Sequence, residues 1–354
     1  MRTSRKSTSA GRGSCSGWLV LASCLVAFVL WVLLTAWWGN RDASASLGYL
    51  AAPLLLGGGA IVGWLCALRS QEVFAVVAAA GAVLLAVAAV PFYSNAEATA
   101  GVQLVALSGL LATGTVASSR ATAAGSGRAM FAGAIGVVGV VLAARAQAAT
   151  LLVVPVVILI VFALRSGGFS SRRRVLGVGM GSVGAAILAV ASLAILPTWP
   201  QWLSRPRSLS GARHRLWGDA LTLWREHPVI GGGPGSFLEH SETARSAPHL
   251  YAAHSSVLQV AAELGGVGVV LFLAVLVAGA FVASQGDRAR GLIGVAAWCA
   301  LAVHSMIDHL YEFPIVCLLA GLVIGWAGSR EVPGAAAASP PPRPGTESSS
   351  RDLA

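Results

Sequence analysis

Lysine is almost missing from this chain of 354 residues: Lys6 is the single example. Charge of either sign is scarce, with Asp, Glu, Lys and Arg together at 11%, whereas soluble domains carry about 25%. So little charge cannot cover an outside that faces water, so the chain must be solvated by lipid. Cysteine is equally thin. Cys15, Cys24, Cys66, Cys299 and Cys317 follow no metal or redox spacing, which excludes a zinc module or a thiol oxidoreductase motif. Four of them lie in apolar runs, where Cys behaves as a small hydrophobe. No Gly-rich turn leads into Lys-Ser/Thr, so a P-loop is excluded, and there is no His-Glu-x-x-His. No basic, aromatic-bearing soluble module exists, so nucleic acid is not an expected partner. No internal repeat is evident.

What fills the chain is Ala, Gly, Val and Leu. Apolar residues make up 56% and the mean hydropathy is +0.75. Apolar windows fall at 18–38, 47–68, 73–93, 101–118, 129–144, 147–165, 175–196, 257–283, 291–310 and 313–328. The fold class expected from this is all-α: a polytopic transmembrane helical bundle of about ten spans. Leu21-Ala22-Ser23-Cys24 resembles a lipoprotein cleavage box, but the apolar run continues past Cys24, so 18–38 reads as a first span. The divisions expected are a basic tail at 1–17, N-terminal spans at 18–196, a long loop at 197–254, C-terminal spans at 255–328 and a Pro/Ser-rich tail at 329–354.

Arginine sets the orientation. The N-terminal tail, Arg69, the 120–128 segment, Arg172-Arg173-Arg174, and Arg288 with Arg290 fall in alternate connections. That predicts a multi-pass membrane protein with both termini cytoplasmic. The 197–254 loop, Arg145 and the polar turn at 304–314 then share the outer face. The outer loop still carries Arg205, Arg207, Arg213, Arg215, Arg225 and Arg245. Codon bias is one reading. An anionic ligand at the membrane surface is the other, since Arg grips phosphate oxygens bidentately.

Within this loop, 213–227 reads as a helix. Leu216, Trp217, Ala220, Leu221 and Trp224 recur on one face. That face suits a helix lying in the headgroup region, and it suits an ordinary loop helix equally. Gly231 to Ser236 reads as a backbone turn. His254 opens the next span. Its imidazole can exchange protons near neutrality, or it can simply bond backbone or water at the interface. Glu263 lies two turns deeper on that span, where a carboxylate is functional or paired. His304 and Asp308 stand four residues apart, which places them on one helix face as a hydrogen-bonded pair lining a polar cavity. Arg145 sits where two spans meet and either snorkels or contacts an anion.

The segments 213–217, 227–237, 253–259 and 262–268 read Arg-His-Arg-Leu-Trp, His-Pro-Val-Ile-Gly-Gly-Gly-Pro-Gly-Ser-Phe, Ala-His-Ser-Ser-Val-Leu-Gln and Ala-Glu-Leu-Gly-Gly-Val-Gly. In this order they resemble the O-antigen ligase and polymerase family. His304-Ser305-Met306-Ile307-Asp308 is similar to a later element of that family, and Ala144-Arg145-Ala146 to its Ser-Arg segment. Ser255 stands where the family has Asn. The resemblance implies a glycosyl-transferring membrane enzyme with no cofactor and no metal. It would move a glycan from a polyprenyl-diphosphate carrier to a glycan or lipid acceptor hydroxyl on the outer face, in cell-surface polysaccharide synthesis. By the same resemblance Arg213 and His254 are the catalytic pair, and Arg145 holds the diphosphate with Arg213. Arg215, Glu263, His304 and Asp308 join them as candidate substrate-binding residues. A polytopic transporter or a lipid-linked glycan flippase is the alternative that the apolar pattern alone leaves open.

Overall fold

The computed structural model describes residues 12–41, 43–69, 172–199, 209–246, 250–286 and 288–329, with isolated positions at 134 and 137–138. The expected spans at 73–93, 101–118 and 147–165, most of 129–144, Arg145, and most of both tails lie outside the described residues. The described regular elements are all helical. They are α1 (Arg12–Trp38), α2 (Ala43–Arg69), α3 (Arg172–Ile195), α4 (Leu209–Glu226), α5 (Ser236–His240), α6 (Glu242–Ser246), α7 (Ser256–Ala283), α8 (Arg288–Met306), a 3-10 turn (Leu310–Glu312) and α9 (Pro314–Gly328).

The expectation of about ten spans is not met. Among the described residues, four helices are long and apolar enough to cross a membrane: Ser16–Trp38, Ser44–Ala67, Arg172–Ile195 and Ser256–Ala283. The windows at 291–310 and 313–328 hold shorter apolar helices, Arg290–Met306 and Val316–Gly328. Counting apolar windows overlooked what interrupts them. The polar run from His304 ends α8 at Met306, and Pro314 starts the next helix afresh. What remains on either side falls short of the roughly 20 residues a spanning helix needs.

The loop helix is corrected as well. Leu216, Trp217, Ala220 and Leu223 of α4 are buried in the protein core. Trp217 meets Trp199 edge-on, with ring centroids 5.2 Å apart. The apolar stripe therefore covers protein and is not laid on lipid. Burying such a stripe against neighbouring helices is what stabilises an 18-residue helix that would be marginal alone.

The described bundle has two distinct ends. At one, Arg172 at the start of α3 donates from Nε to Ser284 Oγ (2.8 Å) and from Nη2 to Phe281 O (3.3 Å), capping the last turn of α7. Arg290, at the start of α8, reaches Ser329 Oγ beyond α9 at 3.3 Å. At the other end lie the finish of α1, the starts of α2, α7 and α9, and all of α4 to α6. Between the ends, α2 and α9 pack most closely. A Cβ added at Gly59 or Gly63 would sit about 2 Å from Leu318 O (2.2 Å) or Leu322 O (2.1 Å), and one at Gly325 would sit 2.0 Å from Ala60 O. Both helices thus present a small-xxx-small stripe that lets backbones touch.

Candidate functional site

At that second end, two glycine motifs lock together through their backbones. The helix α7 breaks at Gly265, whose φ is 67°. The break frees carbonyls that a straight helix would use, and the 228–236 turn supplies their donors. Gly232 N bonds Ala262 O (2.9 Å) and Gly233 N bonds Glu263 O (2.8 Å), while Gly266 N bonds Pro228 O (2.9 Å). Trp31 Nε1 of α1 donates to Leu264 O at 2.9 Å. A Cβ on Gly231 would lie 2.3 Å from the Glu263 carbonyl carbon, and one on Gly265 would lie 2.3 Å from Val229 O. Both positions therefore require glycine for space as well as for positive φ. From the α1–α2 connection, Arg41 Nη2 donates to Gly232 O at 3.0 Å and Nη1 pairs with Glu239.

Glu263 belongs to this lock. It is buried, and its Oε1 accepts the Phe237 N–H at 3.1 Å at the start of α5. Its backbone and side chain together hold the glycine turn against α7.

His254 sits immediately before α7, in the left-handed region at φ 49°. Such a backbone in a non-glycine residue is strained. It persists here because its neighbours are fixed on both sides. Ala253 N donates to Gln259 Oε1 at 2.7 Å. Ser256 N and Ser256 Oγ both bond Asp308 O, at 3.0 and 2.9 Å. The turn after α8 is thus tied to the first turn of α7, and Asp308 is brought beside His254.

The carboxylate then gathers donors. His254 Nδ1 lies 3.3 Å from Asp308 Oδ1, and the His309 N–H donates to the same oxygen at 2.9 Å. His309 Nδ1 is 2.9 Å away. On its far side His309 Nε2 meets Tyr251 OH at 3.2 Å. The two imidazoles stand edge to face with centroids 4.7 Å apart. Burial works against a charge on Asp308, but the bonds from His254 and His309 outweigh it and hold its carboxyl well below the usual carboxylate range. Of the three side chains His254, Asp308 and His309, His254 alone reaches the surface: it is 13% exposed, against 2% for Asp308 and 0% for His309.

His254, Asp308 and His309 carry donor atoms within 4.8 Å of one another, close enough for a metal ion. Yet one carboxylate oxygen already faces both rings and a backbone N–H. The hydrogen bonds to that oxygen come from the His254 ring and the His309 backbone N–H.

The sequence places His304 and Asp308 on one helix face. Instead α8 ends at Met306, and Asp308 lies in the turn beyond it, facing His254 and His309. His304 is buried in the last turn of α8, close enough to Arg213 of α4 for the two charges to interact. Arg213 is half-buried, and its Nε has no hydrogen-bond partner among the described residues. Arg215 is exposed; two residues along a helix it points elsewhere. Arg145 lies outside the described residues. Four residues escaped the sequence reading as site elements: His309, Tyr251, Gln259 and Arg41. His309 left a signal as a second imidazole next to Asp308, and Gln259 as the last residue of the 253–259 segment that carries the resemblance. The i,i+4 spacing drew attention to His304 instead.

Residues 106–273, just under half of the chain, match the family model described as O-Antigen ligase. The matched stretch contains Arg213, the glycine lock and His254, and ends before His304 and Asp308. No curated protein matches the chain.

Proposed function

From the match of residues 106–273 to the O-Antigen ligase family model and from the apolar helices that accompany it, we propose that this protein is a glycosyl-transferring ligase or polymerase. Its donor is a glycan on a polyprenyl diphosphate, its acceptor is a hydroxyl, and it works at the outer face of the plasma membrane, without a metal. The observation that carries this reading is the contact of strained, partly exposed His254 with Asp308, at the same end of the bundle as Arg213.

Ionised Asp308 accepts the Nδ1 proton of His254 and so fixes the tautomer. In this reading Nε2 is the atom that takes the acceptor's proton. As the acceptor oxygen bonds to the anomeric carbon, its proton passes to Nε2, and the bond from that carbon to the diphosphate oxygen breaks. Asp308 stabilises the imidazolium. Negative charge grows on the departing diphosphate, where Arg213 stabilises it, with Arg145 as the second contact in this reading. The Gly231–Gly265 lock keeps α4 and the start of α7 in register, which brings both substrates together in one frame.

The test is transfer of labelled glycan by the full chain in a strain deleted for it. His254→Ala is expected to lower transfer by about two to four orders of magnitude, the scale of a lost acid–base group, and Arg213→Ala by a similar factor. Both proteins should remain in the membrane. Full activity in both variants removes the assignment. Carrier-linked glycan that fails to reach the outer leaflet in the deletion strain makes the protein a flippase instead.

A further inference from the structure

We infer that Val229 and Ile230 seat the turn after α4 in the hydrocarbon layer of the membrane, with phospholipid acyl chains as the partner. Both side chains are large and apolar, yet they are 60% and 39% exposed. Neighbouring Pro228 is exposed too, and Trp224, the last member of the α4 stripe, is only half-buried. A contiguous apolar tip of this kind marks a contact with something other than water.

Backbone bonds fix the level of the tip. Gly266 N and Val267 N of α7 donate to Pro228 O and Val229 O, at 2.9 and 3.3 Å. The tip is therefore level with the break at Gly265. Before that break, every residue of α7 from Ser256 on is buried in protein. Beyond it, Val270, Val277 and Phe281 are exposed, as the lipid-facing side of a span is. From the break to Ala283 the helix runs about 27 Å at the standard rise, close to the roughly 30 Å of a hydrocarbon core. Arg172 caps the far end, so the break marks the opposite boundary. The first helix gives the same level independently. Trp31 of α1 reaches Leu264 O beside the break, and Leu30 and Leu33, on either side of Trp31, are exposed. Val229 and Ile230 thus lie level with the exposed apolar faces of two spans.

The local chemistry suits lipid. Pro228 has no N–H to leave unpaired, and the carbonyls of Pro228 and Val229 are already bonded. Non-helical backbone at membrane depth requires such bonds. Trp224 Nε1 also donates to Pro228 O, at 3.0 Å, which places an indole at the boundary where Trp is enriched. Arg225, Glu226 and His227, all exposed, stand on the α4 side of the tip, so the insertion is shallow. The inference does not use the glycan reading: the turn would be seated in lipid in a transporter as well.

The experiment places a nitroxide on Val229→Cys in the full chain, in nanodiscs of phosphatidylethanolamine and phosphatidylglycerol. It compares collisions with oxygen, which concentrates in hydrocarbon, and with a water-soluble nickel chelate. Val270→Cys on α7 is the lipid reference, and Glu242→Cys, exposed on α6, is the water reference. Signal from the parent chain's own cysteines is subtracted. The oxygen-to-nickel ratio at Val229→Cys is expected to be severalfold above that of Glu242→Cys and close to that of Val270→Cys. Ile230→Cys carries the same test should the first variant not insert. A ratio no higher than that of Glu242→Cys overturns the inference. Strong spin–spin broadening at position 229 overturns it as well, because it puts a second copy of the chain on the tip in place of lipid.

Discussion

Asp308 is the residue on which the candidate site depends. A buried carboxylate is unfavourable unless its charge is matched, and Asp308 is matched by donors from two histidines. Asp308→Asn keeps the shape but offers an N–H where an acceptor is needed. His254 would then turn its lone pair inward, and transfer is expected to fall by about two to four orders of magnitude, measured as for His254→Ala. The pH dependence has a definite sign. The Asp308 carboxyl is held below its ordinary range when folded, so its contribution to stability is complete above about pH 4. It is lost as pH falls through the depressed value. Thermal unfolding in detergent should therefore show a decline on the acid side that is missing in Asp308→Asn. Of these groups, His254 and Asp308 were legible in the sequence as chemistry-bearing residues. Their partnership was not. The i,i+4 rule pairs Asp308 with His304 only if the helix continues, and it stops at Met306.

At the scale of elements, the glycines act as spacers. The turn around Gly231 and the break at Gly265 need each other. The break releases carbonyls, and the turn supplies N–H groups to them. Gly265→Ala is expected to destabilise the protein by more than the roughly 1–2 kcal/mol of a left-handed alanine, because its Cβ would also meet Val229 O at 2.3 Å. Gly184→Ala on α3 is the control, since nothing lies within 4 Å of a Cβ there. A melting curve compares them, and an equal Tm for the two variants would remove the lock. The sequence made the 231–236 stretch legible as a turn, because glycine and proline report local conformation. It could not show that the turn's partner is the Gly265 break, since backbone pairing across that distance leaves no periodicity. The same applies to α4, whose stripe reads as amphipathic whether it meets lipid or protein. Only its neighbours decide.

For the whole molecule, the two ends of the bundle differ in kind. One gathers Arg172, Arg173, Arg174 and Arg290, and the other gathers the glycine lock, Arg213 and the His254–Asp308–His309 cluster. Apolar windows made the all-helical class legible but overstated the spans. A window records hydropathy alone, while spanning also needs an unbroken helix. The arginines suggest which end faces the cytoplasm, since basic connections are retained inside. If so, an impermeant maleimide applied to intact cells should label Glu242→Cys, exposed on α6, and leave Arg173→Cys, exposed at the start of α3, unlabelled until the membrane is permeabilised. Labelling is compared with the parent chain, whose described cysteines are buried or half-buried. The reverse pattern would put His254 on the cytoplasmic side, where a glycan already exported on its carrier cannot reach it. The proposed transfer reaction would fall with it.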